Sequence, residues 1–155
     1  MRTRTIIIAL ALILLVAVPS SFGLGIGAAF GLQPLNGLPG SNVMLSLKLS
    51  ELPFLMGVGF TLGEAQTAFG FTADWWMAND NLFSFFNYYI GLGFYLGYAQ
   101  NLLLGGRLPI GLNVFPIKNL ELFLEIAPTL AAEFGDPIRF PAFGVQGAFG
   151  LRFWF

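Results

Sequence analysis

The last nine residues of the chain, GAFGLRFWF (147–155), alternate between two kinds of side chain. Apolar residues stand at every second position, with small, charged or other residues between them; the apolar set is Phe149, Leu151, Phe153 and Phe155. A period of two places this set on one face of a β-strand. The fold therefore depends on which solvent that apolar face meets.

The same alternation recurs along the chain and predicts eight strands, separated by segments rich in glycine, proline, asparagine and serine. The other seven candidates are GLGIGAAFGL (23–32), VMLSLKL (43–49), FLMGVGFTLG (54–63), TAFGFTADWW (67–76), FNYYIGLGFYLGY (86–98), LGGRLPIGLNVF (104–115) and LELFLEIAPTL (120–130), and the eighth begins at FGVQ (143–146). Short strands at this spacing are typical of an all-β protein.

Charged residues in these strands share the second face with the glycines: Lys48, Asp74, Arg107, Glu121, Glu125 and Arg152. If the apolar faces pointed inward, as in a soluble protein, the exterior would be largely glycine. The opposite arrangement fits better: apolar faces meet lipid, and small and charged side chains fill a narrow interior. The predicted fold is an eight-stranded antiparallel up-and-down transmembrane β-barrel, with a helical membrane protein and a soluble barrel as the alternatives.

The composition agrees with a membrane environment. The chain has 155 residues, of which 56% are hydrophobic and only 10% charged, against about 25% charged in an ordinary soluble domain. The mean hydropathy is +0.76. A formal net charge of -1 gives no reason to expect a nucleic-acid partner, and no cysteine is present to form a disulfide framework.

The first segment, MRTRTIIIALALILLVAVPSSFG (1–23), has the pattern of a secretory signal peptide. Arg2 and Arg4 precede an apolar stretch of 13 residues, Ile6 to Val18, which is shorter than the roughly 20 residues of a spanning helix. We expect cleavage near Gly23, leaving residues 24–155 as the barrel. The alternative is an N-terminal anchor helix.

The pattern resembles the small eight-stranded outer-membrane barrels, the group of the OmpA transmembrane domain, OmpX and OmpW. The closing residues Phe149, Leu151, Phe153 and Phe155 are similar to the C-terminal signal that the outer-membrane barrel assembly machinery recognises. The stretch RLPIGLNVFPIKNLELFLEIAPTL (107–130) resembles small barrel proteins of spirochaetes. The resemblance implies a bacterial outer-membrane location, a porin-like cell-envelope protein, and outer-membrane lipids and the assembly machinery as partners.

The interior charges are the first candidate site. A buried charge without a partner costs several kcal/mol, so we expect Arg107, Glu121, Glu125 and Arg152 to form ion pairs across the lumen, together with Lys48. Aromatic side chains are available to fill the remaining space: Trp76, Phe85, Tyr89, Tyr95, Phe115, Phe123 and Trp154. These pairs predict either a plug or a selective path for small solutes.

The sequence gives no reason to expect an enzyme, since outer-membrane hydrolases of this architecture generally use histidine and the chain has none. No cofactor motif and no calcium-type loop is recognisable. Two predicted outer loops each place apolar residues beside proline: Leu35 and Leu38 in the first, Ile138 and Phe140 in the fourth. They suit either packing over the barrel mouth or contact with an unknown host or surface ligand. We therefore expect a structural or surface-interaction role, with a narrow pore as the alternative.

Overall fold

The computed structural model describes residues 23–35, 39–62 and 67–155, and its regular secondary structure there consists of nine β-strands. Residues 1–22 of the predicted signal peptide lie outside the described residues. The strands are β1 (Leu24–Leu35), β2 (Val43–Leu49), β3 (Phe54–Leu62), β4 (Thr67–Phe83), β5 (Phe86–Tyr98), β6 (Leu102–Arg107), β7 (Ile110–Ile117), β8 (Leu120–Phe134) and β9 (Arg139–Trp154).

The strands form one antiparallel sheet that closes into a ring. Sequence neighbours pair from β1 to β6 and from β7 to β9, and β9 returns to pair with β1. Both β6 and β7 lie between β5 and β8, so the nine strands occupy eight positions around the ring. Closure of this kind leaves no free sheet edge, and the result is a barrel-like all-β fold.

The sixth predicted strand is continuous in the sequence pattern but broken in the structure. Pro109 lacks an N–H and cannot donate to a ladder, and the strand divides at Leu108 and Pro109 into β6 and β7. Hydrogen bonds bridge the break on both sides: Leu108 N donates to Pro128 O at 3.0 Å and Gly91 N donates to Pro109 O at 2.8 Å. The ring stays closed across the interruption.

Two predicted turns are shorter than the sequence suggested. Residues 77–83, predicted as part of a turn, extend β4, and the turn to β5 is reduced to Ser84 and Phe85, with Ser84 at a positive φ of 52°. The predicted loop 131–141 likewise shortens, because β8 runs to Phe134 and β9 begins at Arg139. In both places cross-strand pairing continues through residues of turn-like composition.

The ring has two ends, which we call proximal and distal. The proximal end holds residue 24, the C-terminus and the turns 50–53, 84–85 and 118–119, and there Phe155 N donates to Leu24 O at 3.0 Å. Of the described residues, the distal end holds 39–42, 99–101 and 135–138. Strand connections alternate between the two ends, as in an up-and-down topology.

Side chains alternate between the two surfaces of the ring as the pattern predicted. Large apolar side chains are exposed on the outer surface, including Leu92 (57%), Leu124 (55%) and Ile126 (52%). Aromatic pairs lie on neighbouring strands, such as Phe30 with Phe149, whose ring centroids are 5.3 Å apart. Buried charged residues belong to the other face: Lys48, Asp74, Arg107, Glu121, Glu125 and Arg152. In the described part of the chain, no helix is both long enough and apolar enough to cross a bilayer.

Candidate functional site in the ring interior

The middle of the ring holds a charged cluster centred on Arg107. Its guanidinium forms an ion pair with Glu125 through Nη2 and a second with Asp74, with Nε 3.2 Å from Oδ1. Nη1 donates to Oε1 of Gln146 at 3.0 Å, and the Tyr89 hydroxyl donates to Oε2 of Glu125 at 2.9 Å. We call these five residues the central cluster.

A second cluster lies nearer the proximal end and is centred on Glu121 and Arg152. Arg152 Nη1 lies 2.8 Å from Oε1 of Glu121, and both side chains are fully buried. Glu121 also accepts from Asn113 Nδ2 at 2.8 Å and from Trp154 Nε1 at 2.9 Å, while Arg152 Nε donates to Ser46 Oγ at 2.8 Å. These five residues form the proximal cluster, in which both carboxylate oxygens of Glu121 are occupied.

Aromatic rings fill the space around the clusters. Trp76 and Tyr89 stack with ring centroids 4.0 Å apart and planes 9° from parallel. The guanidinium carbon of Arg152 lies 4.0 Å from the centre of the Phe123 ring, a distance at which a cation–π interaction is favourable. Tyr89 belongs to the central cluster, so the stacked pair connects the charged groups to the apolar filling.

Glycines allow side chains two strands apart to meet. Asp74 pairs in register with Gly93, and Gly93 pairs with Arg107, so the ion pair passes over a residue with no side chain. A Cβ on Gly93 would overlap the Asp74 carboxylate. Close approach of this kind requires glycine in the strand between.

Two more contacts use the same arrangement. Gly111 lies in register between Tyr89 and Glu125, and Gly27 lies in register between Ser46 and Arg152. A Cβ on Gly111 would overlap the Tyr89 ring, and one on Gly27 would overlap the backbone of β9. The glycine faces of the strands therefore create the space in which the interior network forms.

The structure pairs Arg107 with Glu125 and Arg152 with Glu121, but Lys48 stands apart. Within the described residues Lys48 makes no ion pair, and its Nζ lies over the Trp76 ring at 4.2 Å from the centroid. Among the described residues the lumen ion pairs therefore form without Lys48, and the carboxylate of Glu121 already has three donors.

The interior aromatic residues were predicted only in part. Trp76, Tyr89, Tyr95 and Phe123 are buried, and Trp154 is half-buried at the proximal end. Phe85 lies in the β4–β5 turn and is 64% exposed, so it does not fill the interior. Phe115, near the end of β7, is 41% exposed but lines the cavity at the proximal end, with its ring centroid 6.5 Å from that of Trp154.

The C-terminal residues lie on the outer surface of β9. Phe149 and Phe153 are each 47% exposed, Leu151 is half-buried, and the terminal Phe155 is exposed. At the distal end Ile138 and Phe140 are 65% and 70% exposed, so they do not pack over the mouth. The backbone of Leu35 ends β1, while its side chain and the whole of Leu38 lie outside the described residues.

Asp74 is the interior residue whose role the sequence reasoning missed. The sequence placed Asp74 on the interior face but did not include it among the residues expected to form the lumen ion pairs. The available signal was Gly93, since an inward glycine between two strands that carry opposite charges permits a contact across it. Using that signal requires the register, which the sequence pattern leaves open.

A cavity of about 480 Å³ opens at each end of the interior. The proximal chamber is lined by Lys48, Trp76, Asn113, Glu121 and Trp154, among others. The distal pocket includes Tyr95, Thr129 and the rim pair Glu133 and Arg139, whose charged atoms are 2.5 Å apart. Among the described residues, no group of three or more acidic, histidine or cysteine side chains is arranged to hold a metal ion.

A comparison of the chain with protein-family models finds no match, and comparisons with curated proteins and with solved structures find none either. The family resemblance of the C-terminal residues and of the stretch 107–130 therefore stays an expectation. What the site can do has to be argued from its geometry.

Proposed function

We propose that this chain is a bacterial outer-membrane protein in which the closed sheet is an eight-stranded transmembrane β-barrel with a plugged lumen. Its role is structural or one of surface interaction, and residues 1–23 serve as its signal peptide. The observation that carries the proposal is the sidedness of the ring. The outer surface is apolar, while six charged side chains are buried within.

A water-soluble protein with this surface would be unusual. Soluble monomers rarely expose a contiguous apolar patch larger than a few hundred Å², and each Å² of apolar surface left in water costs about 25 cal/mol. Bilayer hydrocarbon removes that cost, provided that every backbone polar group is paired within the protein. A closed antiparallel ring meets the condition, since each strand has a partner on both sides.

The interior favours a plug over an open channel. A ring of eight positions leaves an interior only wide enough for side chains. Among the described residues the buried charges balance, with three cations (Lys48, Arg107 and Arg152) and three carboxylates (Asp74, Glu121 and Glu125). All of them except Lys48 form ion pairs, which occupy the interior and block ion passage.

The surface-interaction role is supported by Ile138 and Phe140. Both lie at the distal end, which the proposed topology places outside the cell, and both are more than half exposed. Exposed apolar residues on and beside the connection between β8 and β9 are available for partner contact. Outer-membrane lipids would surround the apolar outer surface of the ring. The barrel assembly machinery would recognise the C-terminal residues Phe149, Leu151, Phe153 and Phe155. The proposal includes no catalytic activity and no cofactor.

Membrane integration is the first test. Refolded with phosphatidylcholine vesicles, the chain is expected to float with the vesicles in a density gradient and to resist carbonate extraction. On a gel, the unheated sample should migrate differently from the boiled one, because a closed sheet stays folded in detergent. The same chain added to vesicles in 8 M urea is the control. Recovery in the aqueous fraction, with identical migration before and after boiling, would contradict the proposal.

A narrow pore is the second candidate function, favoured by the cavities that approach the central cluster from both ends. In planar bilayers we expect no steady conductance from the wild-type chain, because the Arg107 ion pairs occupy the centre of the ring. Steady single-channel currents that change in Glu125→Ala would support the pore and count against the plug. Glu133→Ala, at the distal rim, is the matched control.

A further inference from the structure

In the part of the chain that the structure describes, Lys48 is a buried cation without an ion-pair partner. It lines the proximal chamber and is 7% exposed. Its Nζ contacts the Trp76 ring at 4.2 Å from the centroid, and no described carboxylate forms an ion pair with it. A buried ammonium group without such a partner is strongly destabilising. The face of an aromatic ring offsets only part of this cost.

Two further donors near Lys48 also lack acceptors. Nε1 of Trp76 and Nη2 of Arg152 are buried without hydrogen-bond partners, and the guanidinium carbon of Arg152 lies 6.0 Å from the Trp76 ring. Asn113 supplies one unpartnered acceptor, Oδ1, to the same chamber. Donors therefore outnumber acceptors around the Trp76 ring, and the donors include two cations.

The carboxylates near the chamber are already engaged. Glu121 accepts from Arg152, Asn113 and Trp154. Asp80 lies at the exposed mouth and accepts from the backbone N of Asn81 at 2.7 Å. The inner part of the chamber has two cations, Lys48 and Arg152, and one carboxylate, Glu121. It therefore has one excess positive charge. The central cluster has two carboxylates, Asp74 and Glu125, and one cation, Arg107, so it has one excess negative charge.

We propose that the proximal chamber binds a small monoanion, a halide or a carboxylate group, next to Lys48 and the Trp76 ring edge. The anion would neutralise the Lys48 ammonium and accept from donors that have no partner in the protein. A volume of about 480 Å³ has room for such an ion together with water. The site belongs to the ring interior, so it does not depend on whether the ring lies in a membrane or in water.

Iodide quenching of tryptophan fluorescence tests the proposal. The Trp75→Phe variant removes the outward-facing tryptophan and leaves Trp76 and Trp154, both of which line the chamber. Iodide is titrated against sulfate at constant ionic strength, because sulfate is neither a halide nor a carboxylate. We expect a saturable quenching component above the linear one. Chloride and acetate, added separately, should each compete with it, and the concentration of each that halves the saturable component shows whether the chamber prefers the inorganic ion or the organic carboxylate.

Substitution of Lys48 supplies the decisive comparison. Lys48→Met should raise the half-saturating iodide concentration at least about tenfold, because a hydrogen bond to a charged group contributes roughly 1.5–3 kcal/mol. Lys118→Met removes an exposed lysine at the same end of the ring and should leave the titration unchanged. Lys48→Arg retains the cation and should retain saturation.

Heat-modifiable migration shows whether each variant is folded. The proposal is overturned if quenching in the parent is linear throughout, or if folded Lys48→Met saturates at the same iodide concentration as the parent. Should Lys48→Met fail to fold, competition by chloride or acetate in the parent decides the question, because a chamber without an anion site would show none. Failure of vesicle flotation would not affect this outcome, so the two proposals fail independently.

Discussion

Arg152→Met is expected to lower the free energy of unfolding by about 3–5 kcal/mol, as found when one partner of a buried ion pair is removed. Arg152 and Glu121 are both fully buried, with their charged atoms 2.8 Å apart. Methionine approximates the volume of the arginine stem but leaves the Glu121 carboxylate without its cation. Urea unfolding of the chain in lipid vesicles, followed by tryptophan fluorescence, measures the loss.

Arg139→Met is the matched control for this prediction. Arg139 also forms an ion pair, with Glu133 at 2.5 Å, but its side chain is 70% exposed. Exposed pairs contribute about 0–1 kcal/mol because water screens them. The double variant Arg152→Met, Glu121→Leu should recover much of the stability, since it removes the Glu121 carboxylate together with the cation that neutralised it. Equal losses in Arg152→Met and Arg139→Met would refute the buried-pair account.

Ile126→Arg is expected to destabilise the vesicle-embedded chain by about 2–4 kcal/mol, the cost of a lipid-facing arginine near the bilayer midplane. Ile126 lies midway along β8 and is 52% exposed on the outer surface. The substitution lowers the free energy of unfolding strongly only at a lipid-facing position. An arginine exposed to water in place of isoleucine changes that free energy by about 0.5 kcal/mol or less. The same urea unfolding assay applies.

Ile117→Arg tests the dependence on depth. Ile117 is 62% exposed and lies at the proximal end of β7, beside the turn at 118–119. An arginine near the interface costs about 0–1 kcal/mol. A small and equal effect at Ile126 and Ile117 would mean that the outer surface faces water, and the membrane proposal would then be wrong.

The sequence predicted the class of fold and the two faces of its strands, but misplaced their ends. The period of two is local, and burial follows it closely along β2 and β8. Pro109 has no N–H and so could have indicated the break between β6 and β7. The apolar alternation continues across Pro109, however, and it predicted one strand. The extension of β4 to Phe83 was not visible, because the pairing of Asn79 to Asn81 with β5 overrides their turn-like composition.

For the candidate site, too, the sequence predicted which residues lie in the interior but not all of their contacts. The sequence identified Arg107, Glu121, Glu125 and Arg152 as interior charges, because each shares a face with glycines. It did not identify Asp74 as a partner of Arg107, and it predicted for Lys48 an ion pair that is not found among the described residues. Both differences concern contacts between strands that are not neighbours in sequence. Such contacts depend on how far each strand is shifted along its neighbours around the ring.

What the sequence determined by itself is the alternation: apolar residues on one surface and glycine with charge on the other, since side-chain direction along a strand follows from backbone geometry. The tertiary structure alone decided which interior groups meet. Closure and register place Gly93 between Asp74 and Arg107, and Gly111 between Tyr89 and Glu125. The register of the strands determines these contacts because a shift of one residue along a strand would turn its side chains to the opposite surface of the sheet.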